Sequence, residues 1–183
     1  CTVDLSSFYF DIRKDTLYCD SKESEKRKSC LILLNVILES LLKWFAPILS
    51  FTMEEIFSIM NKDKKSIHLE EFIKFPKLFE NKILNKKWIK LKKIRDICNI
   101  SIEAKRTSKE IGSSLEANLI INLNDELLKI AENVNFSELC ITSGAKIKKS
   151  EAEEVSVETI KAVGVKCPVC WKINKDGCER HPL

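Results

Sequence analysis

The sequence predicts a mainly α-helical fold: a helical bundle over residues 1–112, a small α/β module over 113–165 and a Cys-rich tail over 166–183. Three observations lead there. Only four Gly and four Pro occur in 183 residues, which favours long helices over a turn-rich β fold. Two long segments repeat apolar residues at spacings of three and four. After Gly112 that rhythm gives way to alternation.

The elements follow in order. Phe8, Phe10, Ile12, Leu17 and Tyr18 mark a first helical stretch, with Ser6 or Ser7 available as a cap. Cys30, Leu34, Ile37, Leu41 and Trp44 form a stripe that Leu31, Leu38 and Phe45 widen, so the spacing predicts a long, largely buried helix ending or kinking at Pro47. Thr52 and Glu55 have the spacing of a capping box ahead of Ile56, Phe57 and Met60. Residues 61–85 are polar and interrupted by Pro76, which predicts a loop with at most a short helical turn. Trp88, Leu91, Ile94, Cys98 and Ile102 then define another long amphipathic helix. Leu34, Ile37, Leu41, Trp44 and Leu91 are the expected core. Beyond Gly112, "LEANLIINL" reads as a strand, "DELLKIAENV" as a short helix, and "ELCITSG" and "VSVETIKAV" as strands, with Glu151, Glu153 and Glu154 in a surface loop.

Charge is uneven. Between Lys86 and Glu110, nine basic side chains, among them Lys90, Lys93 and Arg95, face three acidic ones, giving this segment +6 in a chain whose net charge is +4. A local field of that sign attracts polyanions, although a solvated helix face has the same composition. No apolar run is long enough to span a membrane: the longest, Cys30 to Phe45, is broken by Asn35, Glu39, Ser40 and Lys43. No signal peptide is visible, and the scattered Cys1, Cys19, Cys30, Cys98 and Cys140 do not form a disulfide framework. A reducing, cytoplasmic setting is expected.

Catalytic patterns are missing. The two histidines are His68, in a polar loop with no Cys or Ser partner nearby in sequence, and His181. The four glycines are scattered and form no phosphate loop.

The tail is more specific. In "KCPVCWKINKDGCERHPL", Cys167 and Cys170 make a Cys-x-x-Cys pair, and Cys178 and His181 a second pair of the same inner spacing. A Cys-x-x-Cys turn sets two thiolates at the separation tetrahedral Zn²⁺ requires, and two such pairs close a structural site. The rival reading, a redox dithiol, wants a strand-to-helix setting rather than a stretch with Pro and Gly. Trp171 follows the second cysteine, between Lys166 and Lys172. On so small a unit an indole either packs on a neighbour or offers a stacking platform for an unpaired base, and both readings stay open. Little else in the tail promises to anchor it, so mobility is expected after Val165.

"DLSSFYFDIRKDTLYCD", "LLKWFAPILSFTMEEIF", "EAKRTSKEIGSSLEANLIINL", "ITSGA" and "KCPVCW", in this order, closely resemble the C-terminal part of bacterial-type isoleucyl-tRNA synthetases, class I aminoacyl-tRNA synthetases. The first two motifs are shared more loosely with the valyl and leucyl enzymes; "IGSSLEA" followed by the Cys-x-x-Cys-Trp end is the isoleucyl signature.

The resemblance implies an anticodon-binding bundle, a junction module and a zinc knuckle that reaches the anticodon loop, with Trp171 matching the family's stacking tryptophan. It implies a monomer that partners isoleucine-specific tRNA through Trp171; the charge pattern adds Lys172, Lys90, Lys93 and Arg95 as expected contacts. ATP and Mg²⁺ would belong to an upstream catalytic domain, since the "HIGH" and "KMSKS" signatures are absent here. Two departures stand out. Val169 replaces the arginine the family usually carries between the first two cysteines. The family's second Cys-x-x-Cys is also absent, and "GCERHPL" looks like the stretch before it. Cys178 and His181 therefore either complete the site or are bystanders to a pair lying further on. The alternative function is a zinc-containing helical module that binds protein and no RNA.

Overall fold

The computed structural model describes residues 1–62 and 66–181. The chain is mainly helical, with one small mixed sheet, a two-stranded ribbon and a C-terminal Cys/His cluster. It divides into two compact units: Asp20–Glu80, and Cys1–Cys19 together with the chain from Asn81 onward.

In the Asp20–Glu80 unit, helix α2 (Glu25–Phe45) starts at Ser24, whose side chain accepts from the Arg27 amide, and is followed by α3 (Ser50–Met60). Leu42, Ala46, Phe57 and Ile67 form its core, with Leu38, Met53 and Ile56 packed against them. Glu54 ties a short turn, Ile67–Leu69, to α3 by accepting from Ser66 Oγ and the Ile67 amide, each at 2.9 Å. Two expectations are corrected here. Thr52 does not cap α3: the helix begins two residues earlier, and Leu49 at its start makes no side-chain capping bond. Trp44 is 52% exposed, and Leu34, Ile37 and Leu41 are only half-buried. Within this unit α2 meets its neighbours through the face of Leu38, Leu42 and Ala46. The repeat located an apolar side but not which edge of it is covered. Among the described residues, the 61–85 segment holds two short 3₁₀ turns, Ile67–Leu69 and Lys77–Phe79, before the next helix; the part of the expected loop at 63–65 lies outside the described residues.

The other unit opens with a wide, π-type helical segment, Thr2–Phe10, that contains Ser6 and Ser7 and runs into α1 (Asp11–Cys19). Helix α4 (Lys82–Thr107) is capped by Asn81, whose side chain accepts from the Leu84 amide. Leu91, Ile94, Cys98 and Ile102 are buried along it, as their spacing predicts, and Phe8 sets its ring edge-on to Trp88. Strand β1 (Ala117–Leu123) alternates buried and half-buried residues throughout. It leads through α5 (Asp125–Ala131) and α6 (Phe136–Leu139) to β2 (Gly144–Lys149), which pairs parallel to β1. Strand β3 (Ser156–Lys161) pairs antiparallel on the other side, so the order is β2-β1-β3. The buried face of this sheet (Leu119, Ile121, Leu123) shares one core with Leu91, Ile94, Cys98 and Ile102 of α4.

"ELCITSG" is not a strand. Asn135 caps the Phe136–Leu139 turn through the Ser137 and Glu138 amides, and Ile141 takes a left-handed φ of 56°. These two features bend the chain, and extended structure resumes only at Gly144. Residues 151–154 form an exposed loop, as expected.

Candidate metal centre and nucleic-acid interface

The C-terminal segment is built on a ribbon, β4 (Val165–Lys166) paired with β5 (Ile173–Asn174). Between the strands the chain turns tightly: the Trp171 amide donates to Cys167 O at 3.0 Å and the Cys167 amide to Lys172 O at 2.9 Å. Gly164 makes the entry possible. Its φ is 142°, and a Cβ there would lie 2.2 Å from the Asn174 carbonyl oxygen. Gly177, at φ 85°, turns the chain back before Cys178.

These turns gather Cys167, Cys170, Cys178 and His181, whose ligand atoms all lie within 4.8 Å of one another. Cys170 Sγ is 3.7 Å from Cys178 Sγ, and His181 Nδ1 is 3.3 Å from Cys178 Sγ and 3.5 Å from Cys167 Sγ. Four ligands on a tetrahedron with Zn–S bonds of about 2.3 Å have edges of about 3.8 Å. The set of three thiols and one imidazole therefore fits Zn²⁺ in donor type and spacing. His181 Nε2 lies 2.6 Å from the Cys19 carbonyl oxygen and donates to it. That bond places the imidazole proton on Nε2 and leaves Nδ1 as the ligand atom, the outer-shell arrangement that orients metal-bound histidines.

The thiols differ before any metal binds. The Cys170 amide, seconded by that of Val169, holds the Cys167 thiol down to about 6. Burial pushes Cys170 up to about 11. Cys178 is lowered: burial opposes this, but the His181 and Arg180 amides outweigh it. The Cys19 carbonyl raises His181. A bound dication would favour the thiolate at all three cysteines and the neutral imidazole at His181.

The expectation of an unanchored tail is corrected. Asp15 of α1 accepts from Arg180 at 2.9 Å and lies 3.6 Å from Lys172 Nζ. The Ile173 amide donates to Ser143 Oγ at 2.7 Å, and Cys19 Sγ lies 3.8 Å from Val169 O. The segment is docked on α1 and on the turn before β2.

Trp171 is 60% exposed and has a φ of 62°. A bulky side chain in the left-handed region carries strain of order 1–3 kcal/mol. The indole borders a cavity of about 300 Å³ that also includes Tyr18, Asp15 and Ile141. Lys172 is mostly covered and serves Asp15. On α4, Lys93 is exposed, Lys90 pairs with Glu126, and Arg95 donates to the Leu139 carbonyl at 2.9 Å while lying over the Phe8 ring. Of the five side chains expected to meet RNA, Trp171 and Lys93 are presented outward. Lys90 is held in a solvent-exposed pair, and Arg95 and Lys172 hold the structure together.

A family model described as the anticodon-binding domain of tRNA ligase matches residues 1–121. The chain belongs to this tRNA-ligase anticodon-binding family. The isoleucine–tRNA ligase of Pelagibacter ubique is 71% identical over 181 residues, covering 99% of this chain and 20% of that protein. Those of Bartonella quintana and Agrobacterium fabrum are each 40% identical over 185 residues, covering 95% of this chain and 19% of theirs. The chain thus spans about a fifth of the length of the curated relatives it matches. The isoleucyl resemblance read from the sequence motifs is borne out.

Asp15, Tyr18, Cys19 and Arg180 also border the site and carry no signal of it in the sequence. The Asp15–Arg180 and Cys19–His181 contacts join residues more than 160 positions apart, so no local spacing announces them. No helix is long and apolar enough to cross a membrane among the described residues.

Proposed function

We propose that this chain is the tRNA-binding, anticodon-recognising region of an isoleucine–tRNA ligase. It would hold isoleucine-specific tRNA so that the acceptor end reaches an ATP- and Mg²⁺-dependent catalytic domain elsewhere in the protein, working as a monomer in the cytoplasm. The observation that carries this reading is the near-complete match, at 71% identity, to an isoleucine–tRNA ligase. In functional terms, residues 1–112 act as the anticodon-binding region, 113–165 as a junction and 166–183 as the zinc knuckle.

Cys167, Cys170, Cys178 and His181 would hold a structural Zn²⁺, which supplies the cross-link that a ribbon too short for its own core lacks. Trp171 offers its indole face to an unstacked base, the usual way sequence in single-stranded RNA is read. A strained and exposed tryptophan beside a ligand cysteine supports that role, because neither its backbone conformation nor its exposure serves packing. Lys93 contributes a phosphate contact. Lys90 joins it by exchanging Glu126 for phosphate, since a solvent-exposed ion pair is weak. Arg95 and Lys172 act by placing the α4 face and the knuckle.

The test is aminoacylation by the full-length ligase at saturating isoleucine and ATP. Trp171→Ala should weaken productive tRNA binding by about 1–3 kcal/mol, the value of one stacked base. Unchanged KM and kcat for tRNA would mean that Trp171 only packs.

A further inference from the structure

Among the described residues, four of the nine basic residues of α4 are paired with carboxylates. Lys90 pairs with Glu126, Lys92 with Asp4, Lys105 with Glu110 and Arg106 with Glu103. A second group of lysines, on the far side of the same unit, has no such pairing among the described residues. Ala117, Leu119, Ile121 and Leu123 point into the core, so Asn118, Ile120 and Asn122 face away from it. The register sets Lys146 beside Ile120 and Lys148 beside Asn122 on that outer face, with Ile160 beside Asn118. Glu158, opposite Ile120, is the acidic side chain of this set.

A groove of about 520 Å³ runs between this face and the β4–β5 ribbon. Ile120 and Ile160 give it an apolar floor, Asn118 and Asn174 supply amides, and Lys146, Lys161 and Lys175 line it. Gly144 keeps it open, since a Cβ there would come within 2.7 Å of Asn118 Oδ1. Among the described residues, none of Lys146, Lys148, Lys161 and Lys175 has a carboxylate within ion-pair distance. Cationic groups left without counter-charge around a groove make a surface for a polyanion. Amides and an apolar floor add what a sugar–phosphate strand requires and an isolated small anion does not. The groove is continuous with the metal-binding segment, because Ile173 and Asn174 of β5 form one of its walls.

We propose that this groove binds the sugar–phosphate backbone of the tRNA, with Lys146 and Lys175 as its phosphate contacts. The inference rests on the tRNA-binding reading above and adds to it a second contact surface, separate from Trp171 and from α4. It extends the sequence-independent part of the binding from α4 to the sheet.

The experiment measures binding of isoleucine-specific tRNA to the full-length ligase across a salt series. It compares wild type, the double variant Lys146→Ala, Lys175→Ala, and the matching double Lys→Arg variant. Each lost phosphate contact lowers the slope of log affinity against log salt by roughly 0.7–0.9. The Ala variant should therefore lose about 1.5 from the slope, with at least about a tenfold loss of affinity at low salt. Its melting temperature and its isoleucine-dependent pyrophosphate exchange should stay at wild-type levels, and the Arg variant should keep both slope and affinity. A wild-type protein that does not bind this tRNA would overturn the functional reading itself. A wild type that binds, beside an Ala variant of equal slope and affinity, overturns the groove alone. Lost affinity with an unchanged slope overturns it as well, because it signals damage to the fold and not lost phosphate contacts.

Discussion

His181 donates from Nε2 to the backbone carbonyl of Cys19, 162 residues earlier in the chain, and in doing so turns Nδ1 toward the sulfurs of Cys167 and Cys178. One hydrogen bond thus links the end of α1 to the candidate metal centre and selects the ring nitrogen that faces it. The same helix supplies Asp15 to Arg180 and Lys172. The short ribbon shapes the knuckle, and α1, with the turn before β2, holds it in place.

The first prediction concerns the ligands. Purified under metal-replete conditions, the protein should carry one zinc per chain. Cys178→Ala or His181→Ala should cut zinc affinity by more than the roughly 10–100-fold that loss of an outer-shell partner costs. Affinity should also fall as the pH is lowered, since protons compete for thiolate and imidazole. Zinc titration against a competing chelator measures both. Unaltered affinity in both variants would make Cys178 and His181 bystanders.

The second prediction concerns Asp15. Burial works to raise its pKa, but Arg180 and Lys172 outweigh that and hold the carboxyl below its usual value. A carboxyl lowered by folding stabilises the chain above its unfolded value of about 3.9, and that contribution disappears as the pH falls through the folded value. Asp15→Asn should cost about 1–3 kcal/mol at neutral pH, the range for hydrogen bonds to charged groups. Denaturant titrations should show a gap between wild type and variant that is constant from about pH 5 to 8 and closes below about pH 4. A gap that widens on acidification would show that Asp15 is not held as a paired carboxylate.

The third prediction separates two helices that look equally apolar in sequence. Leu91 is fully buried, and Leu91→Ala should cost about 2–5 kcal/mol. Trp44 is half-exposed, and Trp44→Ala in this chain should cost about 1 kcal/mol or less. Thermal unfolding of the two variants distinguishes them, and equal losses would contradict the observed covering of α2.

How much of this was legible in the sequence depended on range. The stripe from Leu91 to Ile102 was readable because a helix repeats locally and its sheet partner covers the whole stripe. The Cys/His cluster was readable because each of its two pairs sits at a fixed short spacing. Trp44 was misread because periodicity finds an apolar face but not the partner that covers part of it. "ELCITSG" was misread because the Asn135 cap and the positive φ at Ile141 override strand propensity. The roles of Arg95 and Lys172 were hidden because a basic residue reads alike whether it meets a carbonyl, a carboxylate or a phosphate.

The fourth prediction follows from the backbone at Trp171. Replacing this residue by Gly relieves a left-handed conformation that Gly adopts freely. Trp171→Gly should leave stability unchanged or raise it slightly, by up to about 1 kcal/mol, while tRNA binding falls as in Trp171→Ala. Unfolding and binding measured on the same preparation test the opposition. Stability and binding lost together would make the indole a packing group.

The most direct test of the central claim is anticodon discrimination. Binding of the full-length ligase to isoleucine-specific tRNA is compared with binding to a transcript that differs only in its anticodon bases, for the zinc-loaded protein. Loss of one stacked or hydrogen-bonded base is worth about 1–3 kcal/mol, so the altered transcript should bind roughly tenfold or more weakly. That difference should shrink in Trp171→Ala. Equal affinity for the two transcripts in the wild-type protein would contradict the account, since it would mean that this region holds tRNA without reading its anticodon.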